Sequence, residues 1–423
     1  MKRKKNNTTT VFELEETRNE AVNVDSPYDR LSNSFEESAI QSVNALIYDG
    51  VKKDASDIHL EPRENNLLVR LRIDGALRDY PPFPQEIMSQ IISRVKLLAG
   101  MDIAERRLPQ DGSMYLEIEG NMIHIRASTL PIIHGEKIVL RLLSPEKVIR
   151  PIEELGFSPM NLQRYYHFLD SSHGMILVAG PTGCGKTTTL YSTLQYLNKR
   201  EKNIVSVENP VEYRLEGINQ VQVNTKIGLT FASTLRTVLR QDPDIIMVGE
   251  IRDSETAEIV TRAGLTGQMV FSTLHTGDAA RSITRLLDMG VQSFLLTSSL
   301  VGIISQRLVR IICPHCRQAY SPTKDEYNLL SKLHFEQKPD CLYRGSGCEN
   351  CSGTGFKGRT AIHEVMAVDT ELRNLIKNAV NTTELKAKAI SQGMTPLIHD
   401  GIEKCKMGLT TLDEVVRVAY STL

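Results

Sequence analysis

Gly180-Pro-Thr-Gly-Cys-Gly-Lys-Thr-Thr188 is the stretch of sequence on which the predicted fold depends. It matches the pattern G-x-x-x-x-G-K-[ST], in which glycines let backbone N–H groups turn towards the phosphates of a nucleotide. An apolar run at residues 175–179 comes before it, and residues 187–199, with leucines at helical spacing, follow it. Strand, glycine loop and helix is the order that a phosphate-binding loop requires, so we predict such a loop rather than a chance glycine-rich turn.

Each residue of this loop is predicted to contribute to nucleotide binding. Lys186 is expected to place its ammonium at the β- and γ-phosphates of ATP, and Thr187 is expected to direct its hydroxyl at Mg²⁺. The predicted nucleotide-binding residues are Gly180, Pro181, Thr182, Gly183, Cys184, Gly185, Lys186, Thr187 and Thr188.

Length and composition limit the possible classes of protein. A chain of 423 residues is too long for one hydrophobic core, so two or three domains are expected. The net charge of −1 gives no sign of a nucleic-acid-binding protein, and no apolar run approaches the roughly 20 residues that span a bilayer. The basic start, Met1-Lys-Arg-Lys-Lys5, runs into polar residues rather than an apolar signal core, so secretion is not expected.

Changes in the hydrophobic pattern predict the domain organisation. Residues 1–35 are polar, without a sustained period, and are predicted to be a disordered tail. Residues 36–148 mix helical and alternating patterns, which predicts a smaller N-terminal α+β (PAS-like) domain. Residues 149–159 are predicted to be a linker, and residues 160–423 to form the α/β domain that carries the phosphate loop.

Apolar strands alternate with helical segments in the second domain, which predicts a parallel sheet with helices on both faces. The predicted strands are 176–179, 204–207, 245–248 and 269–272, and the predicted helices are 187–199, 231–240, 255–263 and 279–289. The pattern breaks at Cys313, and residues 309–366 are predicted to form a zinc-binding subdomain. Four short helical segments are predicted after residue 366.

Three of the predicted strands end at residues that suit nucleotide hydrolysis. Glu250 follows the third strand, where it is expected to polarise an attacking water beside the phosphate loop. Glu208 and Glu212 follow the second strand at the edge where ligands bind in open α/β sheets, although a turn with solvated acids explains them equally well. His275 follows the fourth strand and is expected to contact the γ-phosphate or Glu250, unless it is a structural histidine.

Four of the seven cysteines form two C-x-x-C pairs, Cys313 with Cys316 and Cys348 with Cys351. Four thiolates at this spacing suit tetrahedral Zn²⁺ with every position filled by protein, which makes a structural site. Two independent redox pairs are the alternative, since the gap between the pairs is longer than in the commonest zinc ribbons. Cys341 lies inside that gap and is a competing ligand.

These elements together resemble the secretion ATPase superfamily of type II secretion and type IV pilus assembly, from about residue 56 to the C-terminus. Several ordered motifs besides the phosphate loop carry the resemblance. They are Ser56-Asp-Ile-His-Leu-Glu-Pro62, Arg70-Leu-Arg-Ile-Asp-Gly75, Gln110-Asp-Gly112, Arg126-Ala-Ser-Thr-Leu-Pro131, Gly135-Glu-Lys-Ile-Val-Leu-Arg-Leu-Leu143, Val207-Glu-Asn-Pro-Val-Glu212, Arg240-Gln-Asp-Pro-Asp-Ile-Ile-Met-Val-Gly-Glu-Ile-Arg-Asp253 and residues 267–276.

The resemblance implies a RecA-like ATPase that works as a hexameric ring at the cytoplasmic face of the inner membrane. Such rings drive the addition of pilin-like subunits through an inner-membrane platform protein, with a cytoplasmic-domain adaptor and without direct nucleic-acid contact. The implied cofactors are ATP, Mg²⁺ and Zn²⁺. The four-cysteine insertion resembles the secretion and pilus-extension branch, because retraction ATPases generally lack it.

The resemblance also assigns roles to residues that are weak signals by themselves. Glu208 and Glu212 fall in the acidic box of the family, Glu250 in its Walker B element and His275 in its histidine box. Four arginines match arginines that approach the nucleotide or belong to the catalytic domain; they are Arg126, Arg141, Arg236 and Arg240.

Two features depart from the family pattern. Asn209 stands where the family usually has Asp, so Glu208 or Glu212 is expected to serve alone on the metal side. Only about 35 residues precede the first predicted domain, whereas members usually carry one or more further N-terminal domains that dock on the membrane complex.

Two other functions fit parts of the sequence. A nucleic-acid translocase on a similar P-loop core needs a basic groove with stacking aromatics, and 5% aromatic residues with no Trp disfavour it. A ring component that binds nucleotide without hydrolysing it is disfavoured by Lys186, Thr187 and Glu250, while Asn209 leaves it open.

Overall fold

The computed structural model describes residues 22–23, 35–143, 149–378 and 381–419. These residues form two compact units, one within the first 144 residues and one from residue 145 onward. Each unit has a seven-stranded sheet and a hydrophobic core of its own.

The first unit is an α+β fold in which two amphipathic helices pack on a seven-stranded sheet. Val43 and Leu46 of the first helix and Ile91 and Val95 of the second lie in one core with the inward residues of the strands. The elements are β1 (Val22–Asn23), α1 (Phe35–Lys52), β2 (Ala55–Pro62), β3 (Asn66–Ile73), β4 (Ala76–Pro84), α2 (Gln85–Leu98), β5 (Gln110–Ile118), β6 (Asn121–Ile132) and β7 (Gly135–Leu143). The strand order is β1-β5-β6-β7-β2-β3-β4, with all neighbours antiparallel except β1 and β5.

Strand β4 was not predicted from the sequence, because Pro81, Pro82 and Pro84 interrupt its pattern. Proline cannot donate to a sheet ladder and is tolerated at an edge, and β4 is the edge strand of this sheet. Within the predicted disordered tail, Val22–Asn23 pair in parallel with β5, and the rest of residues 1–34 lies outside the described residues.

The second unit is an α/β fold that contains the phosphate loop. Its elements are α3 (Pro159–Leu169), β8 (Gly174–Ala179), α4 (Lys186–Leu197), β9 (Ile204–Glu208), β10 (Asn219–Gln222), α5 (Phe231–Val238), β11 (Ile245–Val248), α6 (Ser254–Leu265), β12 (Met269–Leu274), α7 (Ala279–Asp288), α8 (Ser293–Ser299), β13 (Leu300–Ile312), β14 (Arg317–Tyr320), α9 (Lys324–Lys332), β15 (Leu342–Gly345), β16 (Phe356–Ala367), α10 (Thr370–Lys377), α11 (Thr382–Ser391), α12 (Leu397–Lys406) and α13 (Leu412–Ala419).

The sheet of the second unit has the order β10-β9-β11-β12-β8-β13-β16, and all neighbours are parallel except β13 and β16. Met175, Leu177 and Ala179 of β8 belong to the core on one face of the sheet. Ile176 and Val178 point to the opposite face and are also fully buried. Helices therefore cover both faces, as the sequence predicted.

The sequence did not predict β13 and β16, which complete the sheet. The predicted zinc-binding subdomain began at 309 and ended at 366, whereas 309–312 belong to β13 and 356–366 belong to β16. The inserted segment is therefore residues 313–355. The predicted linker at 149–159 contains a 3₁₀ turn, Ile152–Leu155, whose two apolar ends are buried.

The described chain after β16 forms four short helices, α10 to α13, at the positions where the sequence predicted helical segments. Helices α12 and α13 share a small hydrophobic core with α9 of the insertion. Ile402 and Val415 from these helices and Leu330 from α9 are fully buried there.

Gly302 of β13 sits under α3, where a Cβ atom would lie 2.3 Å from a ring carbon of Phe168. Its backbone is not left-handed, so the constraint is steric. We expect Gly302→Ala to lower the stability of the second unit by about 1–3 kcal/mol through overpacking. Thermal melting of the variant checks this, and adding Phe168→Leu is expected to recover part of the loss. A Gly302→Ala protein that melts like the wild type would contradict the packing argument.

Candidate functional site

The phosphate loop connects the end of β8 to the start of α4 through three glycines with positive φ. Gly183 and Gly185 have φ values of 77° and 93°, which side-chain-bearing residues rarely adopt. A Cβ atom on Gly180 would lie 2.5 Å from Sγ of Cys184 and 2.7 Å from the Gln306 carbonyl oxygen. The loop therefore presents backbone N–H groups beside the positive end of a helix, which suits an anion.

The structure distinguishes the members of the predicted nucleotide-binding stretch by their exposure. Pro181, Thr182 and Thr187 are exposed, whereas the Cys184 side chain is only 4% exposed. Burial raises the pKa of the Cys184 thiol. Cys184 is thus available to a ligand through its backbone, and its side chain belongs to the interior.

Lys186 folds back onto its own loop. Its Nζ atom donates to the carbonyl oxygens of Gly180 at 2.8 Å and Pro181 at 3.0 Å. Burial and the Arg307 charge lower the pKa of Lys186, while Cys184 and Glu250 act in the opposite direction. The ammonium therefore has acceptors at the mouth of the loop and lies within electrostatic range of Glu250.

Glu250 lies one residue beyond Gly249 at the end of β11, held in place by the neighbouring strand. The Thr273 hydroxyl donates to the Gly249 carbonyl at 2.7 Å, and the Ile251 N–H donates to the Thr273 carbonyl at 3.1 Å. Oε2 of Glu250 accepts from Nε of Arg252 at 2.7 Å. The Glu250 side chain is 14% exposed, so most of it is shielded from bulk solvent.

His275 follows β12, and its Nε2 atom lies 3.7 Å from Oε2 of Glu250, which is close but longer than a hydrogen bond. Burial and the charges of Lys186 and Arg252 lower the pKa of His275, against the effect of Glu250. These effects favour the neutral form of the imidazole. Lys186, Glu250 and His275, which come from three separate loops, thus act on one another electrostatically at one edge of the sheet.

Glu208 is buried at the end of β9, and its carboxylate accepts hydrogen bonds from three neutral donors. Oε1 accepts from the Ser206 hydroxyl at 2.6 Å and the Gln220 amide at 3.2 Å, and Oε2 accepts from the Tyr191 hydroxyl at 2.5 Å. Burial raises the pKa of Glu208, and these three hydrogen bonds lower it. Solvated acids in a turn, the alternative for this motif, do not describe Glu208, which is 3% exposed.

Two buried side chains on β13 support the loop from below, and the sequence analysis missed both. Nε2 of Gln306 donates to the Cys184 carbonyl at 2.7 Å, and its Oε1 accepts from the Thr189 hydroxyl at 2.8 Å. Arg307 donates to the Gly277 carbonyl at 2.7 Å, just beyond the His275 loop. Strand β13 therefore ties the phosphate loop and the histidine loop to one support.

Residues 33–417 match the family model described as Type II/IV secretion system protein. The chain belongs to this family. Among curated secretion system proteins, it is 49% identical over 383 residues to the type IV pilus assembly ATPase PilB of Thermus thermophilus, covering 90% of this chain and 43% of that one. It is 44% identical over 391 residues to the type II secretion system ATPase E of Vibrio cholerae, covering 92% of this chain and 77% of that one.

Solved structures give the same assignment of the fold. The chain of the pilus retraction motor PilT with bound ADP superposes with a TM-score of 0.58 at 26% identity, covering 88% of this chain and 95% of that one. The Legionella pneumophila ATPase DotB superposes with a TM-score of 0.66 at 18% identity, over 95% of this chain and 99% of that one, which supports the fold alone. The chain spans less than half of its Thermus relative and about three quarters of its Vibrio relative.

The four predicted arginines of this secretion system protein lie in two places. Arg236 and Arg240 are exposed on and just after α5, where Arg236 forms an ion pair with Glu255 of α6. Arg126 of β6 and Arg141 of β7 are cross-strand neighbours in the first unit. Arg141 also contacts Asp57 at 3.1 Å and remains 57% exposed.

The two C-x-x-C pairs come together in the insertion. Sγ distances are 3.8 Å between Cys313 and Cys348, 3.9 Å between Cys316 and Cys351, and 3.7 Å between Cys348 and Cys351. Four sulfurs bound tetrahedrally to Zn²⁺ at about 2.3 Å are about 3.8 Å apart, so the set fits such an ion. Among the described residues, the cysteines that cluster in this way do not include Cys341, the competing ligand.

The surrounding backbone and thiols favour the thiolate of Cys351. Its Sγ accepts from the N–H groups of Cys348 and Gly355, both at 3.2 Å. Burial alone would raise the pKa of Cys351, but these N–H groups and the Cys348 and Cys316 thiols lower it to about 6. If the two motifs were independent redox pairs, which is the alternative hypothesis, the four sulfurs would not need to lie together as they do.

We expect Cys351→Ser to reduce the bound metal from about one ion per chain to a small fraction, because the site loses one of four thiolates. Elemental analysis of the purified protein checks this. Limited proteolysis is expected to cut the variant within residues 313–355, since such metals stabilise local folding by on the order of 10 kcal/mol.

Cys341→Ser is the matched control, because it removes a thiol from the same insertion but outside the cluster. Equal metal loss in the two variants would overturn the assignment of the ligands.

Proposed function

We propose that this chain is a motor ATPase of a type II secretion or type IV pilus apparatus, which hydrolyses ATP to drive the assembly of pilin-like subunits. The observation that carries the proposal is the convergence of Lys186, Glu250 and His275 behind a glycine loop that suits a phosphate chain. Family membership and the names of the curated relatives support it.

The nucleotide binds along residues 180–188 in this proposal. The N–H groups at the start of α4 hold the β-phosphate, and Lys186 exchanges its two carbonyl acceptors for β- and γ-phosphate oxygens. Thr187, which is exposed at the start of α4, would hold Mg²⁺ with the acidic side chains, and the ion would neutralise charge on the phosphates.

Glu250 is the group that polarises the attacking water. Arg252 and His275 both lie beside Oε2 of Glu250, so we assign the attacking water to Oε1. Neutral His275 is placed to donate one hydrogen bond to a γ-phosphate oxygen or to the water, and Arg252 restrains the carboxylate. Glu208 at the end of β9 and Glu212 just after it would help to orient the metal-bound side of the nucleotide.

Oligomerisation completes the site in this proposal. Arg236 and Arg240 are exposed on one face of the second unit, and Arg126 and Arg141 lie side by side in the first. A hexameric ring would present such arginines to the nucleotide of a neighbouring copy, where an arginine contributes roughly 10³–10⁵ in rate. Hydrolysis would then depend on contact between subunits.

The location and partners follow from the same proposal. Among the residues that the structure describes, no helix is both long and apolar enough to cross a bilayer. We propose a cytoplasmic protein, peripheral to the inner membrane, that acts on a membrane platform protein and a cytoplasmic-domain adaptor. The ion in the cysteine cluster is proposed to be Zn²⁺ in a closed structural site.

Two substitutions separate binding from hydrolysis. Lys186→Ala is expected to abolish ATP turnover, because the phosphates lose their cation. Glu250→Gln is expected to retain nucleotide affinity while kcat falls by about 100-fold or more, since the water loses its base. Equilibrium binding of a fluorescent nucleotide and steady-state phosphate release measure the two effects.

Glu258→Gln is the matched control, because Glu258 is an exposed glutamate on α6 that pairs with Arg262. Near-normal turnover in Glu250→Gln would remove Glu250 from its assigned role.

Subunit mixing tests whether Arg236 serves a neighbouring copy. Arg236→Ala alone is expected to lose at least about 1,000-fold in kcat if its guanidinium reaches the γ-phosphate. Adding Lys186→Ala subunits, which keep Arg236, is expected to restore activity. The active sites would form where Arg236 of a Lys186→Ala subunit faces the intact phosphate loop of an Arg236→Ala subunit. Arg262→Ala on α6 is the control for removing an exposed arginine. A mixture no more active than its two components would contradict assistance between subunits.

A further inference from the structure

Tyr191 connects the helix of the phosphate loop to the acidic loop. It is fully buried on α4, five residues after Lys186. Its hydroxyl donates to Oε2 of Glu208 at 2.5 Å and accepts from the N–H of Glu212 at 3.2 Å. The ring packs edge-on against Tyr213 at 6.3 Å between centroids, so the hydroxyl is fixed in place.

The two oxygens of Glu208 differ in what holds them. Oε1 accepts from two donors, the Ser206 hydroxyl of β9 and the Gln220 amide of β10, whereas Oε2 accepts from the Tyr191 hydroxyl. The neighbouring Glu212 carboxylate disfavours ionisation of Glu208, as does burial. The groups that favour the carboxylate are neutral donors on α4, β9 and β10. Loss of one of these three hydrogen bonds therefore weakens the hold on the Glu208 carboxylate more than it would if a cation were also paired with it.

We propose that Tyr191 is a positioning residue, whose hydroxyl fixes the orientation of the Glu208 carboxylate and holds the backbone at Glu212. The inference rests on the role proposed above for Glu208. Because α4 begins at Lys186, the hydroxyl also joins the lysine and the acidic loop to one helix.

The test compares Tyr191→Phe with Tyr196→Phe, the same substitution at an exposed position of the same helix. Tyr191→Phe keeps the ring but removes the hydrogen bond that orients Glu208. Its kcat is expected to fall by about 10- to 100-fold, the effect of one hydrogen bond to a charged group, while KM for ATP changes by less than about threefold. Tyr196→Phe is expected to keep the wild-type kcat and KM.

A double variant tests whether Tyr191 acts through Glu208. In a Glu208→Gln background the added Tyr191→Phe is expected to change kcat by less than about twofold, because the carboxylate that it positions is gone. Effects that multiply independently would overturn the inference, because a merely structural tyrosine would lower kcat by the same factor in both backgrounds.

Infrared difference spectroscopy follows the same hydrogen bond without any turnover. The carboxylate stretch assigned by Glu208→Gln is expected to shift in Tyr191→Phe at constant pH, because one donor to that carboxylate is lost. This separates the two proposals: a wild-type protein without ATPase activity refutes the proposed function, whereas an unshifted carboxylate stretch refutes the role of Tyr191.

Discussion

Parallel pairing of β8 between β12 and β13 is the constraint on which the second unit depends. Parallel strands end at the same edge of a sheet, so the loops after β8, β9, β11 and β12 meet there whatever their separation in sequence. The phosphate loop, Glu208, Glu250 and His275 are carried by those four loops. Backbone pairing thus does the positioning, and individual side chains adjust it.

Sequence patterns were sufficient for the elements whose signal is local. Fixed spacings between neighbouring residues predict the phosphate loop, its flanking strand and helix, and the four apolar strands. The support of the loop is different, because the Gln306–Thr189 hydrogen bond joins residues 117 positions apart. A signal did exist: Ser305-Gln-Arg307 places three polar residues inside an otherwise apolar strand, which is unusual unless each has a partner.

The edge of the sheet and the insertion show a second limit of sequence reasoning. The cysteine spacing predicted a cluster, but the pattern did not show that β13 and β16 on either side complete the main sheet. Core contacts then link α9 of the insertion with α12 and α13, which no spacing rule connects. The insertion is therefore held from two sides, by its own cysteine cluster and by apolar packing against the end of the described chain.

The folded-back lysine has a consequence for the release of product. Lys186 donates to the carbonyl oxygens of Gly180 and Pro181. In the proposed function a nucleotide would replace these acceptors and gain only the difference between the two sets, which would limit how tightly the diphosphate is retained. The same two carbonyl oxygens would accept from the ammonium again once the diphosphate leaves.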